Sequence, residues 1–118
     1  LKQACAAIVR DHPGVQVMML SDYDLARDYP VDQTGDGHGG KVETSRMMDI
    51  APHLVKKAEG RGEYVSHGFM IVADPETSMP SGYVGPAHEA SAELGRNIND
   101  FIVERLPDEI GRSFGGMQ

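Results

Sequence analysis

The sequence holds one cysteine, Cys5, so no internal disulfide can form. A lone thiol fits a reducing cytoplasm rather than a stapled secreted scaffold. Tryptophan is absent, and the other aromatics are limited to four tyrosines and three phenylalanines. Basic residues are also scarce: 11 Lys and Arg stand against 18 Asp and Glu, for a formal net charge of −7. That balance argues against nucleic acid or an anionic membrane surface as partner. No apolar run nears the roughly 20 residues needed to span a bilayer, and no leader-like segment is visible. Internal repeats and low-complexity tracts are missing as well. What is present is an ordinary globular composition, 40% hydrophobic and 25% charged, in 118 residues. Such a length suits one domain with a modest core. The chain opens on Leu1 inside helix-like sequence, which points to a fragment or a processed chain.

Leu1, Ala4, Cys5, Ile8 and Val9 fall at helical spacing, and Pro13-Gly14 ends that helix. On this face Cys5 reads as a core residue rather than a nucleophile. The apolar run Val15–Leu20 predicts a buried strand, parallel because a helix precedes it. Ligands gather at strand ends in such sheets, which puts Ser21-Asp22-Tyr23-Asp24 on the candidate active face. Turn formation and helix capping are the first account of Asp22 and Asp24, ahead of a place in the site. Residues 25–34 form a charged loop with Pro30. Residues 64–73 predict a strand or hairpin arm, and the Pro/Gly-rich loop 74–86 suits a lid or a subunit contact. Ala90, Leu94, Ile98, Phe101, Ile102 and Leu106 define a last helix, which Pro107 is expected to interrupt. One short turn over 108–114 and a tail over 115–118 complete the chain.

The organising stretch is Gly35-Asp36-Gly37-His38-Gly39-Gly40-Lys41-Val42-Glu43-Thr44-Ser45. Glycine permits positive φ and close approach of a ligand, and the helix that follows offers unpaired N–H groups. Glu43, Met47, Ile50 and Leu54 share one helical stripe. A carboxylate heading an apolar stripe needs a partner if it faces inward; it is also favoured near a helix N-terminus in water. Asp36 stands where it can orient the imidazole, contact substrate or make an Asx-turn before Gly37. His12, His53, His67 and His88 lie at a helix end or beside loops.

His38-Gly39-Gly40-x-x-Glu43-Thr44-Ser45, followed by Met47-Met48 and Pro52-x-Leu54-Val55, resembles a motif of the creatininase (creatinine amidohydrolase) superfamily. Gly82-x-Val84-Gly85 with Ala90-Ser91-x-Glu93-x-Gly95-Arg96 resembles that family's segment before its last helix. The resemblance covers 1–106 and implies that 1–118 is the C-terminal portion of a single domain. The implied fold is α/β, three layers with a mainly parallel sheet. The implied activity is hydrolysis of a C–N bond in a small cyclic amide or formamide by a divalent metal pair, Zn, Mn or Fe. Carried over by position, His38 becomes the proton-transfer residue and Glu43 a group at the metal or just outside it. Asp22, Asp36, Gly39 and Gly40 become candidates for lining the substrate site. The family's main metal ligands, a Glu-x-His with a following Asp and a further His, would lie upstream of Leu1. The resemblance therefore implies a partner, either the N-terminal half of the same protein or a separate chain, within a homo-oligomer, often a hexamer. Creatininase itself uses tryptophans from this half, so the missing tryptophan favours a substrate other than creatinine.

Two further readings stand beside this one. In the first the chain is a non-catalytic α/β assembly or ligand-binding module, with Glu43 paired to a cation and His38 shaping the loop. In the second Ser45 is a nucleophile near His38, although no Gly-x-Ser-x-Gly elbow surrounds it.

Overall fold

The computed structural model describes residues 1–115 and divides them into two units. Residues 1–29 and 101 onward form the first, and Pro30–Asp100 the second. The elements are helical: α1 (Lys2–Asp11), α2 (Asp22–Ala26), α3 (Lys41–Ile50) and α4 (Ala92–Gly115), with short 3₁₀ turns at Pro52–Leu54, Pro75–Thr77 and Ala87–Glu89.

In the first unit α1 stops at Pro13-Gly14 as expected, with Gly14 at φ 97°. Ser21 caps α2: its hydroxyl accepts from Tyr23 N–H, and Asp24 accepts from Ser21 N–H at 3.2 Å. Asp24 also pairs with Arg27 at 2.6 Å. Leu25, Ala26 and Ile102 are buried. Tyr29 meets Phe101 edge-on with ring centroids 5.4 Å apart. Arg105 lies over the same Phe101 ring and reaches Asp28. Cys5 is a free thiol, half-buried.

The parallel sheet is overturned. Among the described residues the sole bridge is an isolated antiparallel one, Gly62 to Gly85, and Val15–Leu20 belongs to no ladder. A strand exists only where a second extended segment takes up its backbone groups. The apolar run has the composition of a strand, but no described segment supplies that neighbour, so the α/β/α expectation fails. Residues 64–73 likewise form no hairpin. They hold a turn in which Met70 N–H donates to His67 carbonyl, and Phe69 stands at its tip, fully exposed. The stripe behind Glu43 is also not a core: Met47, Ile50 and Leu54 are 40%, 65% and 66% exposed.

Pro107 does not break the last helix, which continues to Gly115. Proline removes one backbone donor and crowds the carbonyl four residues back, yet the residues on both sides of it keep helical backbone. The short turn expected over 108–114 is therefore part of α4. Of the expected tail, 116–118 lie outside the described residues.

The second unit is built around α3 and the first turns of α4. Val42, Ser45, Pro86, Ala87 and Ile98 are its buried side chains. Helices α3 and α4 approach closely at Gly95, where a methyl group would overlap the Ser45 carbonyl and come within 2.9 Å of Arg46 nitrogen. Ser91 N–H donates to Ser45 Oγ at 3.1 Å, and Ser91 Oγ accepts from Leu94 N–H, capping α4. One turn further, Asn99 accepts from Arg46 at 2.8 Å and donates to Asp49 at 3.0 Å. Small residues permit the approach, and a satisfied polar ladder fixes its register.

Candidate functional site

The loop that carries His38 is held from three sides. Gly37 N–H donates to the Val84 carbonyl at 3.1 Å, and Val84 N–H donates to the His38 carbonyl at 2.7 Å. Gly62 and Gly85 exchange two hydrogen bonds next to this pair. Arg61 donates to the carbonyls of Thr34 and Gly35, and Tyr83 hydroxyl donates to the Gly60 carbonyl. The glycine of Gly82-x-Val84-Gly85 thus has a defined use. Gly85 has φ 103°, and a methyl there would press on Asp36. Upstream, Thr34 N–H bonds to Asp32, the first of the causes that hold this exposed carboxyl below the usual carboxylate range.

Asp36 is committed to α3. Oδ1 accepts from Lys41 N–H at 2.6 Å and Oδ2 from Val42 N–H at 2.9 Å. Two of the orphan donors at the helix start are satisfied by one carboxylate from outside the helix. Gly40 is the capping residue, and a methyl there would strike Asp36 Oδ1 and come 2.5 Å from the Val84 carbonyl oxygen. Lys41 has a nearly covered side chain and pairs with Glu89 at 3.5 Å.

His38 and Glu43 come together. His38 Nδ1 lies 3.8 Å from Glu43 Oε2, with side-chain exposures of 70% and 41%. The same Oε2 accepts from Gly39 N–H at 2.6 Å, and Thr44 Oγ1 donates to the Gly39 carbonyl at 2.8 Å. Gly39, at φ 62°, is therefore bracketed by consecutive side chains of α3. Beside it lies an open pocket of about 260 Å³, lined by Gly39, Glu43, Thr44, Met47, Leu54, Val55 and Lys56. The exposed stripe of Met47 and Leu54 is its apolar floor. A pocket below the roughly 300–1,000 Å³ of drug-sized sites suits a small ligand.

Of the residues that the sequence singled out, His38, Gly39, Gly40, Glu43 and Asp36 therefore stand on one loop–helix junction. Asp22 is the first residue of α2 in the other unit. His12 caps α1, His53 is exposed, His67 Nε2 lies 3.3 Å from the Thr77 carbonyl, and His88 is 4.0 Å from Glu89. Ser45 is buried and accepts from Ser91 N–H, the position of a structural group rather than of a nucleophile. Sequence reasoning missed Val84 and Tyr83 as the brace of the loop. Both sit inside a glycine motif that was visible, but its pairing with 37–38 is not encoded by spacing.

Donors for a metal are few. Among the described residues no group of three or more His, Cys, Asp or Glu side chains converges. His38 and Glu43 make a pair, and one Glu43 oxygen already accepts a backbone N–H. These residues by themselves do not fit a divalent ion, which takes four or more ligands.

Comparison with solved structures gives creatininases. A Glu-to-Gln creatininase variant complexed with creatine is similar at 26% identity and TM-score 0.75, over 96% of this chain and 51% of its own. A Zn-Zn type of the variant (25%, TM-score 0.73) and a Mn creatininase (26%, TM-score 0.72) are each covered over 49% of their length by 96% of this chain. The chain thus spans about half the length of the structures it matches. No curated protein matches the sequence significantly. The family profile for creatinine amidohydrolase matches residues 1–110, and with the braced His38–Glu43 junction described above it places this chain in the creatininase family.

Proposed function

We propose that the chain carries the proton-transfer side of a creatininase-like hydrolase, acting on the C–N bond of a small cyclic amide or formamide. The observation that carries this reading is an exposed imidazole on a rigid backbone, 3.8 Å from a carboxylate, beside a small pocket. When an amide is cleaved, the nitrogen departs only after gaining a proton. An imidazole exchanges protons near neutral pH and suits that task. Glu43 faces the ring on its Nδ1 side, 3.8 Å away, which leaves Nε2 for the substrate. Gly39, which lines the pocket, lets the substrate approach the loop backbone, whereas the bare side of Gly40 is taken up by Asp36 and the Val84 carbonyl. Asp36 acts through the helix: it fixes the start of α3 and with it the position of Glu43.

Divalent metals stand in the names of two structural relatives, as Zn-Zn and Mn. For this chain a Zn, Mn or Fe pair would need donors from polypeptide beyond the described residues, so no step is drawn through it. The same polypeptide is the occupant we assign to the exposed apolar side chains of α1 and of 15–19, within a homo-oligomer of the intact protein.

The test is His38→Ala in the intact protein, assayed on a panel of small cyclic amides and formamides. Turnover should fall by roughly 10²–10⁴-fold, the usual share of a general acid–base group. Unfolding should be unaltered, because the ring is 70% exposed. Unchanged turnover removes His38 from the mechanism. It would favour the second reading, a ligand-binding module, which draws support from the use of Asp36, Glu43 and Thr44 in closing their own loop.

A further inference from the structure

The chain has 11 Lys and Arg side chains. Arg10, Arg27, Lys41, Arg96, Arg105 and Arg112 are in ion pairs, Arg46 bonds to Asn99, and Arg61 bonds to two carbonyls. Among the described residues Lys2, Lys56 and Lys57 are left without a partner. Of these three, Lys56 lines the pocket beside His38 and Glu43. It arrives there for a local reason. The turn Pro52–Leu54 reverses the chain after α3, and Val55 leaves it extended, with φ −89° and ψ 124°. Leu54, Val55 and Lys56 thereby come to line the same pocket as Glu43, Thr44 and Met47. In a chain of net charge −7, an exposed, unpaired lysine bordering an otherwise apolar and acidic pocket is an unused counter-charge.

We infer that Lys56 selects the substrate: the molecule cleaved beside His38 bears an anionic group, carboxylate or phosphate, that pairs with this lysine. The inference rests on the C–N hydrolase reading for the reaction, but not for the binding. The cation and the carboxylate of Glu43 would set the orientation of the ligand, its anion toward Lys56 and its amide nitrogen toward the imidazole. The apolar floor of Met47 and Leu54 carries the atoms between.

The intact protein is assayed with two matched pairs: N-formylglycine against N-formylglycinamide, and N-formylethanolamine phosphate against N-formylethanolamine. The wild type should show a lower KM for the anionic member, and the pair with the larger difference identifies carboxylate or phosphate as the group. In Lys56→Gln that KM preference should shrink by roughly fivefold, the ceiling for an exposed ion pair. Lys56→Arg should retain it, and Lys57→Gln should not move it. No preference in the wild type, or the same preference in Lys56→Gln, overturns the assignment. If neither member of either pair is cleaved, the hydrolase reading is what fails on these probes. Calorimetric binding of the same pairs then decides for Lys56: a preference for the anion that vanishes in Lys56→Gln supports it, and equal binding sinks it.

Discussion

Two glycines of one helix should respond to alanine in opposite directions. Gly95 and Gly111 both lie within α4. Helix propensity alone favours alanine over glycine by about 1 kcal/mol at either position. At Gly111 nothing lies within 4 Å of the added methyl, so Gly111→Ala should gain most of that amount. At Gly95 the methyl would overlap the Ser45 carbonyl and approach Arg46 nitrogen at 2.9 Å, both of them backbone atoms that cannot swing aside. The helices must separate, and overpacking of this kind costs about 1–3 kcal/mol. Separation also stretches the Ser91–Ser45 bond and the Asn99 contacts to Arg46 and Asp49, each worth roughly 1 kcal/mol. The balance is a loss of about 2 kcal/mol for Gly95→Ala. Urea unfolding of the two variants beside the wild type measures both values. A Gly95→Ala protein as stable as Gly111→Ala would refute the close crossing and the account of the Ala-Ser-x-Glu-x-Gly pattern as a packing device.

Two other outcomes follow from the site. Asp36→Ala removes both acceptors at the start of α3, and should cost about 2 kcal/mol in urea unfolding. Asp36→Asn, which keeps one acceptor oxygen, should recover part of that; a neutral effect of Asp36→Ala would mean that the helix start finds other partners. The polypeptide 1–118 alone should retain no stoichiometric zinc or manganese after dialysis, because its described residues offer no three-donor cluster. Elemental analysis showing one bound ion per chain would contradict this.

The sequence made the junction legible because the information there is local. A glycine loop, an imidazole and a carboxylate five residues on lie within one turn and the start of one helix, so spacing alone brings His38 and Glu43 together. The purpose of the glycines was half visible. Their tolerance of positive φ is written at Gly39, but the need for bare backbone at Gly40 and Gly95 arises from Asp36, Val84 and Ser45, two of them distant in sequence. Asp36 illustrates the same limit from the other side. Its charge suggested a ligand or substrate contact, yet its oxygens are taken by N–H groups five and six residues ahead.

The sheet failed for a deeper reason. Apolar patterning records that a surface is built to be covered, and carries no label for the polypeptide that covers it. Ile8, Val9, Val15 and Met19 are between 44% and 48% exposed: their pattern is apolar, but the strand it predicts over Val15–Leu20 is neither buried nor paired. Met47 and Leu54 are equally apolar and equally uncovered, but they floor a pocket beside Glu43. The same sequence signal therefore has two outcomes here, separated by what stands next to it. Under the reading proposed above, the apolar surface bordered by a histidine, a carboxylate and an unpaired lysine takes a small polar molecule, and the surface without such groups takes another stretch of chain. Lys56 favours the small molecule in that reading, because a lysine covered by a protein segment would require a buried counter-charge, whereas a small anionic ligand brings its own.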